Sequence, residues 1–137
     1  EMAEFLNKES GVLGISGLSS DMREIEKADS EGNERAHLAL QMYNYRIKKY
    51  IGEYAAAMGG VDIIVWTAGV GENQEDVRWD SCQGLEFLGI KMDKEANHCR
   101  GVERVISAPD SKVKVCLIPT DEEIVIARDT MELVAKK

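Results

Sequence analysis

The stretch VDIIVWTAGVGEN, residues 61–73, decides the fold of this 137-residue chain. Its first part, Val61–Thr67, is almost continuously apolar and rich in β-branched side chains, which predicts a buried central β-strand rather than an edge strand. Its second part, Ala68–Asn73, carries two glycines and predicts a turn that leads into a helix over Glu75–Phe87. A strand followed directly by a helix indicates an α/β fold.

The residues before this stretch predict helices and one loop. Asn33–Met58 is the longest predicted helix, because apolar residues recur there at steps of three and four, and Gly59-Gly60 ends it. A shorter helix over Asp21–Ala28 begins at a capping aspartate. Gly11–Ser20 is rich in Gly and Ser and predicts a loop with one short strand, while Met2–Asn7 predicts the tail of a helix. The apolar stripe of the long helix comprises Ala36, Leu40, Tyr43, Ile47, Tyr50, Ile51, Tyr54 and Met58.

The residues after the stretch predict the rest of a sheet and a final helix. Val113–Ile118 predicts a second long strand, and Gly89–Met92 and Arg104–Ser107 predict shorter strands. Pro119-Thr120-Asp121 leads into a last helix over Glu122–Val134. This order predicts helices packed against a sheet in an α/β layer structure.

Composition and charge narrow the classes of function. The length suits one compact domain. A net charge of −8 and a pI of about 4.8 argue against nucleic acid as a partner. No apolar run approaches the roughly 20 residues that span a bilayer, which argues against a membrane partner. Cys82, Cys99 and Cys116 are spaced too widely for a zinc site or a disulfide framework, and they predict reduced thiols in a cytoplasmic protein.

The turn at Thr67–Asn73 is the first candidate functional site. In open α/β sheets, ligands bind at the carboxyl edge of the strands, which is where this turn begins. Gly69 and Gly71 lack a Cβ atom and would let a flat ring or a phosphate approach the backbone, and Asn73 offers a donor and an acceptor. The alternative is an ordinary strand-to-helix turn in which glycine only supplies a positive φ.

Two shorter clusters are further candidates, each with a structural alternative. At Ser19–Arg23, an aspartate and an arginine stand at a helix start, where they can grip a nucleotide or only cap the helix and remain solvated. At Pro119–Glu123, three acids begin the last helix, where a carboxylate can hold Mg²⁺ or only complement the helix dipole.

Four longer motifs, in this order along the chain, resemble the acetokinase family. GVLGISGLSSDMREIE resembles the family's nucleotide-side loop, and AAAMGGVDIIVWTAGVGEN is similar to its adenosine-binding strand and turn. GLEFLGI and IPTDEEIVIARDT also match. These motifs occupy residues 11–26, 55–73, 84–90 and 118–130, and the resemblance as a whole extends over nearly the whole chain.

The resemblance implies a fold and an activity. It implies a ribonuclease-H-like domain of the actin-like and sugar-kinase-like ATPases, with residues 1–137 as the C-terminal nucleotide-binding domain. The implied activity is reversible ATP-dependent phosphoryl transfer to acetate, giving acetyl phosphate and ADP, with Mg²⁺ as the metal and a homodimer as the assembly. The chain begins without an initiator Met, which suggests a piece of a longer protein. The acyl pocket and the catalytic residues are implied to lie in a preceding N-terminal domain, so we assign no catalytic residue here and expect the chain to be inactive alone.

The resemblance also implies roles for individual residues. Glu122 is implied to contact Mg²⁺. The implied nucleotide-binding residues are Asp21, Met22, Arg23, Gly69, Val70, Gly71 and Asn73. Two alternatives stay open: a kinase that acts on propionate or butyrate, and a module that binds nucleotide or dimerises without catalysis.

Overall fold

The computed structural model of the chain describes residues 1–135. Contacts divide the chain into two compact units, Glu1–Gly59 and Gly60 onward, whereas the length alone suited one compact domain. The first unit is helical, and the second contains a small mixed sheet with helices around it. The fold class is α/β, as predicted.

The first unit consists of four helices. They are α1 (Met2–Lys8), α2 (Gly11–Ser16), α3 (Met22–Ser30) and α4 (Glu34–Met58). The predictions of α1, α3 and α4 are confirmed, but the prediction of a loop with a strand over Gly11–Ser20 is wrong. Val12 and Ile15 of α2 pack against the core of the unit, and this burial outweighs the poor helix propensity of glycine. Gly17, with φ 68°, then ends α2.

Side chains cap the two longer helices of the first unit. Asp21 precedes α3 and accepts a hydrogen bond from the Arg23 backbone N–H at 2.9 Å. Asn33 precedes α4 and accepts hydrogen bonds from the next helical amides, including that of Ala36 at 3.0 Å. Gly59, with φ 76°, ends α4 in the left-handed conformation. The sequence rules for helix ends therefore hold in this unit.

The core of the first unit covers only part of the α4 stripe. Ile25, Ala36 and Ala39 are fully buried, and Leu40 packs against them. Further along α4, Tyr54 and Met58 are 63% and 66% exposed. The apolar stripe is therefore a core surface in its first half and an open surface in its last turns.

Up to residue 135, the second unit contains the sheet and four α-helices. Its elements are β1 (Ile63–Trp66), α5 (Ala68–Asn73), α6 (Glu75–Cys82), α7 (Lys94–Asn97), β2 (Arg104–Val105), β3 (Lys114–Leu117) and α8 (Glu122–Ala135). The helix predicted over Glu75–Phe87 is too long, because Gly84 takes a φ of 76° and only a 3-10 turn follows at Glu86–Leu88. The strand predicted over Gly89–Met92 forms only two isolated bridges.

The sheet has the order β1-β3-β2. β1 runs parallel to β3, with Trp66 opposite Leu117, and β2 runs antiparallel to β3. The prediction of β1 as a buried central strand is wrong within the described residues, since β1 lies at an edge and Ile63 is 57% exposed. Both faces of β1 carry apolar side chains, as predicted. Within residues 1–135, however, mainly the face that carries Trp66 is buried.

The last helix, α8, begins after β3 and is exposed along its whole length. Ile124 is 43% exposed and Met131 is 67% exposed. None of the helices in residues 1–135 combines the length and the apolar character that crossing a bilayer requires.

Candidate functional site

The carboxyl edge of the sheet brings two of the predicted clusters together. Because β1 and β3 are parallel and in register, Thr67 and Ile118 follow them at the same edge. The hydroxyl groups of Thr67 and Thr120 are 2.6 Å apart and share a hydrogen bond. The Thr120 backbone N–H also donates to Oε1 of Glu72 at 2.8 Å. The α5 turn and the segment that starts α8 are therefore joined directly.

The two glycines of the α5 turn have different surroundings. A Cβ atom on Gly71 would lie 3.2 Å from the Trp66 carbonyl carbon, so Gly71 lets α5 pack closely on the end of β1. A Cβ atom on Gly69 would meet nothing within 4 Å, so the backbone there faces open space. The positive φ of the turn, 59°, falls on Ala68 and not on a glycine. The open space at Gly69 thus leaves room for a ligand beside the backbone. Gly71 allows close packing against β1, in addition to its predicted role in ligand binding.

The remaining predicted residues of the turn also differ in exposure. Val70 is half-buried and Asn73 is exposed. The Asn73 side-chain amide donates to the Gly69 carbonyl at 2.9 Å, which closes the turn on itself. Within residues 1–135 no donor contacts the Asn73 carboxamide oxygen, so this acceptor stays available to a ligand.

The three acids after β3 take different roles. Asp121 is a helix cap, since its Oδ1 accepts from the Ile124 backbone N–H at 3.0 Å. Glu122, the first residue of α8, is exposed, and no donor in the described part of the chain contacts its carboxylate. In that same part, no three His, Cys, Asp or Glu residues are grouped to hold a metal ion. One free carboxylate nevertheless fits Mg²⁺, which commonly takes one or two protein carboxylates and completes its shell with water and phosphate.

Asp21 and Arg23 form an ion pair within the first unit. Arg23 Nη2 lies 2.6 Å from Asp21 Oδ2, and Nε donates to Oδ1 at 3.1 Å. The side-chain hydrogen bond from Arg23 lowers the pKa of Asp21 from 3.8 to about 2, and the same contact raises the pKa of Arg23. The Arg23 side chain is 86% exposed, and Met22 between them is half-buried. The capping role of Asp21 is confirmed, and its nucleotide role stays a prediction.

Two residues that hold the turn are missed by the sequence argument. Glu72 links α5 to Thr120, and Arg78 on α6 donates from its Nη1 to the Gly71 carbonyl at 2.8 Å. No local pattern signals either contact, because a Glu in a turn and an Arg on a helix are usually solvated. Their partners lie 48 and 7 residues away along the chain.

The chain matches a known family along most of its length. The family model described as "Acetokinase family" matches residues 1–128. A protein of Phocaeicola vulgatus named acetate kinase is 62% identical over 135 residues, which are 98% of this chain and 34% of that protein. A Thermotoga maritima protein of the same name is 60% identical over 139 residues, again 34% of its length. The chain therefore spans about a third of the length of the curated relatives that it matches.

Solved structures match the fold as well. The crystal structure of Porphyromonas gingivalis acetate kinase gives a TM-score of 0.90 at 60% identity, over 97% of this chain and 34% of that one. The acetate kinase of Entamoeba histolytica gives 0.86 at 36% identity, over 95% of this chain and 35% of that one. A propionate kinase of Francisella tularensis gives 0.81 at 33% identity, over 92% and 32%.

Proposed function

This chain belongs to the acetokinase family, and we propose that it supplies the nucleotide side of a reversible ATP-dependent phosphoryl transfer to acetate. The observation that carries the proposal is the shared sheet edge. There the open backbone at Gly69 and the carboxylate of Glu122, which is unpaired within residues 1–135, follow two neighbouring parallel strands. In open α/β sheets this edge is where ligands bind.

The α5 turn offers what an adenosine group needs. The backbone at Gly69 leaves room for a flat ring. The carboxamide oxygen of Asn73, which no donor in the described part of the chain contacts, can accept a hydrogen bond from a base or a ribose. Val70, half-buried beside them, adds apolar surface. We assign Gly71 to the same site through its backbone, because its position fixes the turn against β1.

Glu122 is proposed as the protein ligand of Mg²⁺, directly or through water. Bound Mg²⁺ neutralises charge on the phosphate groups of the nucleotide. The carboxylate is unpaired within residues 1–135, so it would not have to break an internal ion pair to take this role.

Asp21, Met22 and Arg23 are proposed as further nucleotide contacts. The proposal is supported by the family membership and by the exposure of the ion pair. Asp21 Oδ1 accepts the hydrogen bond that caps α3. Because Arg23 is exposed, its guanidinium can leave the Asp21 carboxylate and bind a phosphate or a ribose hydroxyl instead.

Turnover is proposed to need the whole protein. Phosphoryl transfer depends on positioned cations that offset charge on the transferring group, and losing them costs several kcal/mol of transition-state stabilisation. We assign those groups, the acetate pocket and the catalytic residues to the part of the relatives that this chain does not span. A homodimeric assembly and a cytoplasmic setting belong to the same proposal. Acetate-dependent ADP release by the 137-residue chain alone would contradict it.

Two alternatives differ in substrate or in class. The match to a propionate kinase at 33% identity supports a propionate or butyrate kinase, but the 60% identity to an acetate kinase of similar coverage favours acetate. Kinetics of the whole protein with acetate, propionate and butyrate should give the highest kcat/KM for acetate. The second alternative is a module that binds nucleotide or dimerises without any catalytic partner domain.

Calorimetric titration of this chain with ADP and Mg²⁺ tests the nucleotide site. We expect saturable binding, and we expect Asn73→Ala to raise the Kd about tenfold because a ligand hydrogen bond is lost. Asp21→Ala should also weaken binding. Gln41→Ala removes another exposed carboxamide, from the first unit, and should leave the Kd unchanged. Absence of binding, or equal affinity of the Asn73 and Gln41 variants, would contradict the proposal.

A further inference from the structure

Arg78 on α6 is a buried cation whose hydrogen bonds within residues 1–135 reach no anionic partner. Its side chain is 0% exposed. Nε donates to Asn97 Oδ1 at 2.9 Å, and Nη2 donates to the carbonyl oxygens of Asn97 and Cys99, each at 2.8 Å. Nη1 donates to the Gly71 carbonyl at 2.8 Å. All of these acceptors are amide or peptide oxygens.

Burying a guanidinium group in this way is costly. Desolvation is the largest influence on the group, and it lowers the pKa of Arg78. Apolar side chains of similar volume often replace buried charges without loss of stability, so stability alone does not explain an arginine here. The distinctive property of arginine is a planar fork of donors that reaches several oxygens at once.

The fork of Arg78 connects three segments of the second unit. These are the end of α5 at Gly71, the short helix α7 at Asn97, and the following loop at Cys99. Asn97 is itself held, because its side-chain amide donates to the Glu75 carbonyl at 2.9 Å. The loop also contacts α5, since the Gly101 N–H donates to the Glu72 carbonyl at 3.2 Å. These hydrogen bonds therefore fix one side of the turn that carries Gly69 and Asn73.

We propose that Arg78 is a positioning residue for nucleotide binding: its guanidinium holds the Gly71 carbonyl and thereby sets the orientation of the α5 turn. The inference rests on the nucleotide site proposed above. Arg78 is fully buried, so it acts through Gly71 and not by direct contact with a nucleotide. Its removal would leave the carbonyl oxygens of Gly71, Asn97 and Cys99 without this donor, in an interior where unpaired polar groups are expensive.

The test compares Arg78→Lys and Arg78→Met with Val77→Ala. Lysine keeps the charge but replaces the planar fork with a single ammonium group. Val77 neighbours Arg78 on α6 and is 2% exposed, so Val77→Ala weakens the same helix while leaving the fork intact. Two readouts are taken: the Kd for ADP with Mg²⁺, and amide hydrogen exchange in the chain without ligand. Exchange is followed at Gln74, which donates to the Val70 carbonyl of α5, and at Ile106, which donates to Val115 in the sheet.

In both Arg78 variants, we expect the hydrogen-exchange rate of the Gln74 amide to rise about tenfold relative to that of the Ile106 amide. We also expect both variants to bind ADP about tenfold more weakly. Val77→Ala should change the hydrogen-exchange rates of these two amides by similar factors and leave the Kd for ADP unaltered. Arg78 variants that behave like Val77→Ala would overturn the proposal, and so would a failure of both to fold. Absence of ADP binding to the unaltered chain would overturn the proposed function, whereas the exchange contrast alone decides whether Arg78 fixes the turn.

Discussion

The α5 turn and the start of α3 differ in how they are held, although both are predicted to contact the nucleotide. The α5 turn is tied to distant parts of its unit through Arg78 and through the link between Glu72 and Thr120. The start of α3 is held by Asp21 and Arg23, which are two residues apart and pair with each other. Long-range contacts define the first region, and a local contact defines the second.

This difference indicates two ways of preparing a binding surface. The buried contact from Arg78 to Gly71 shields part of α5 from solvent, and the exposed link between Glu72 and Thr120 adds a second long-range contact, so the turn is preorganised. The exposed pair at α3 sits in water, where ion pairs contribute little and are screened by salt. The turn should therefore respond to substitutions in its buried surroundings, and the pair should respond to pH and to ionic strength.

The largest expected effect comes from Gly71→Val. A side chain at Gly71 would be forced against the Trp66 backbone, and overpacking of this kind costs about 1–3 kcal/mol of unfolding free energy. Urea unfolding followed by tryptophan fluorescence measures the unfolding free energy of the second unit selectively, because Trp66 and Trp79 both lie in that unit.

The matched control for this prediction is Gly69→Val. The same side chain would enter open space there and should change the unfolding free energy by no more than about 0.5 kcal/mol. It should weaken ADP binding, because it fills the proposed ligand approach. Equal losses of stability at both glycines would mean that the turn is not packed as described.

An intermediate effect is expected from Glu72→Ala. Thr120 N–H would lose its acceptor, and a single hydrogen bond contributes about 0.5–1.5 kcal/mol. Faster exchange of the Thr120 amide in nuclear magnetic resonance spectra would report the broken link. Glu72→Gln keeps an acceptor oxygen at the same position and should retain most of the protection. If alanine and glutamine behave alike, Glu72 does not join α5 to α8.

Local sequence signals predicted the start of α3 well and the α5 turn only in part. The cap at Asp21 and the end of α4 at Gly59 follow rules that involve neighbouring residues, and both are observed. The helix at Gly11–Ser16 escaped prediction because its stability comes from packing of Val12 and Ile15 and not from propensity.

The long-range features lay outside the reach of pattern reasoning. The apolar run of β1 predicts side chains that avoid water, but it does not say which neighbours cover them. The edge position of β1 could therefore not be predicted from the sequence. The burial of Arg78 depends on carbonyl groups of α5, α7 and a loop that meet only in the folded chain. The residue pattern pointed to Gly69, Gly71 and Asn73, the family resemblance added Val70 and Glu122, and the structure supplies the reason why Gly69 and Gly71 are not equivalent.

The smallest expected effect concerns the carboxyl group of Asp21. Its pKa in the folded chain is about 2, below its ordinary value of 3.8, because Arg23 donates to the ionised form. The folded pKa is the lower one, so the pair's contribution to stability is complete above pH 3.8 and is lost as the pH falls towards 2. A carbon-detected titration of Asp21 should have its midpoint near 2, and Arg23→Ala should move it back towards 3.8. Added salt should shift the midpoint of the unaltered chain in the same direction, since the pair is exposed. A midpoint near 3.8 in the unaltered chain would mean that Asp21 and Arg23 do not pair in solution, and the start of α3 would then be held by its helix cap alone.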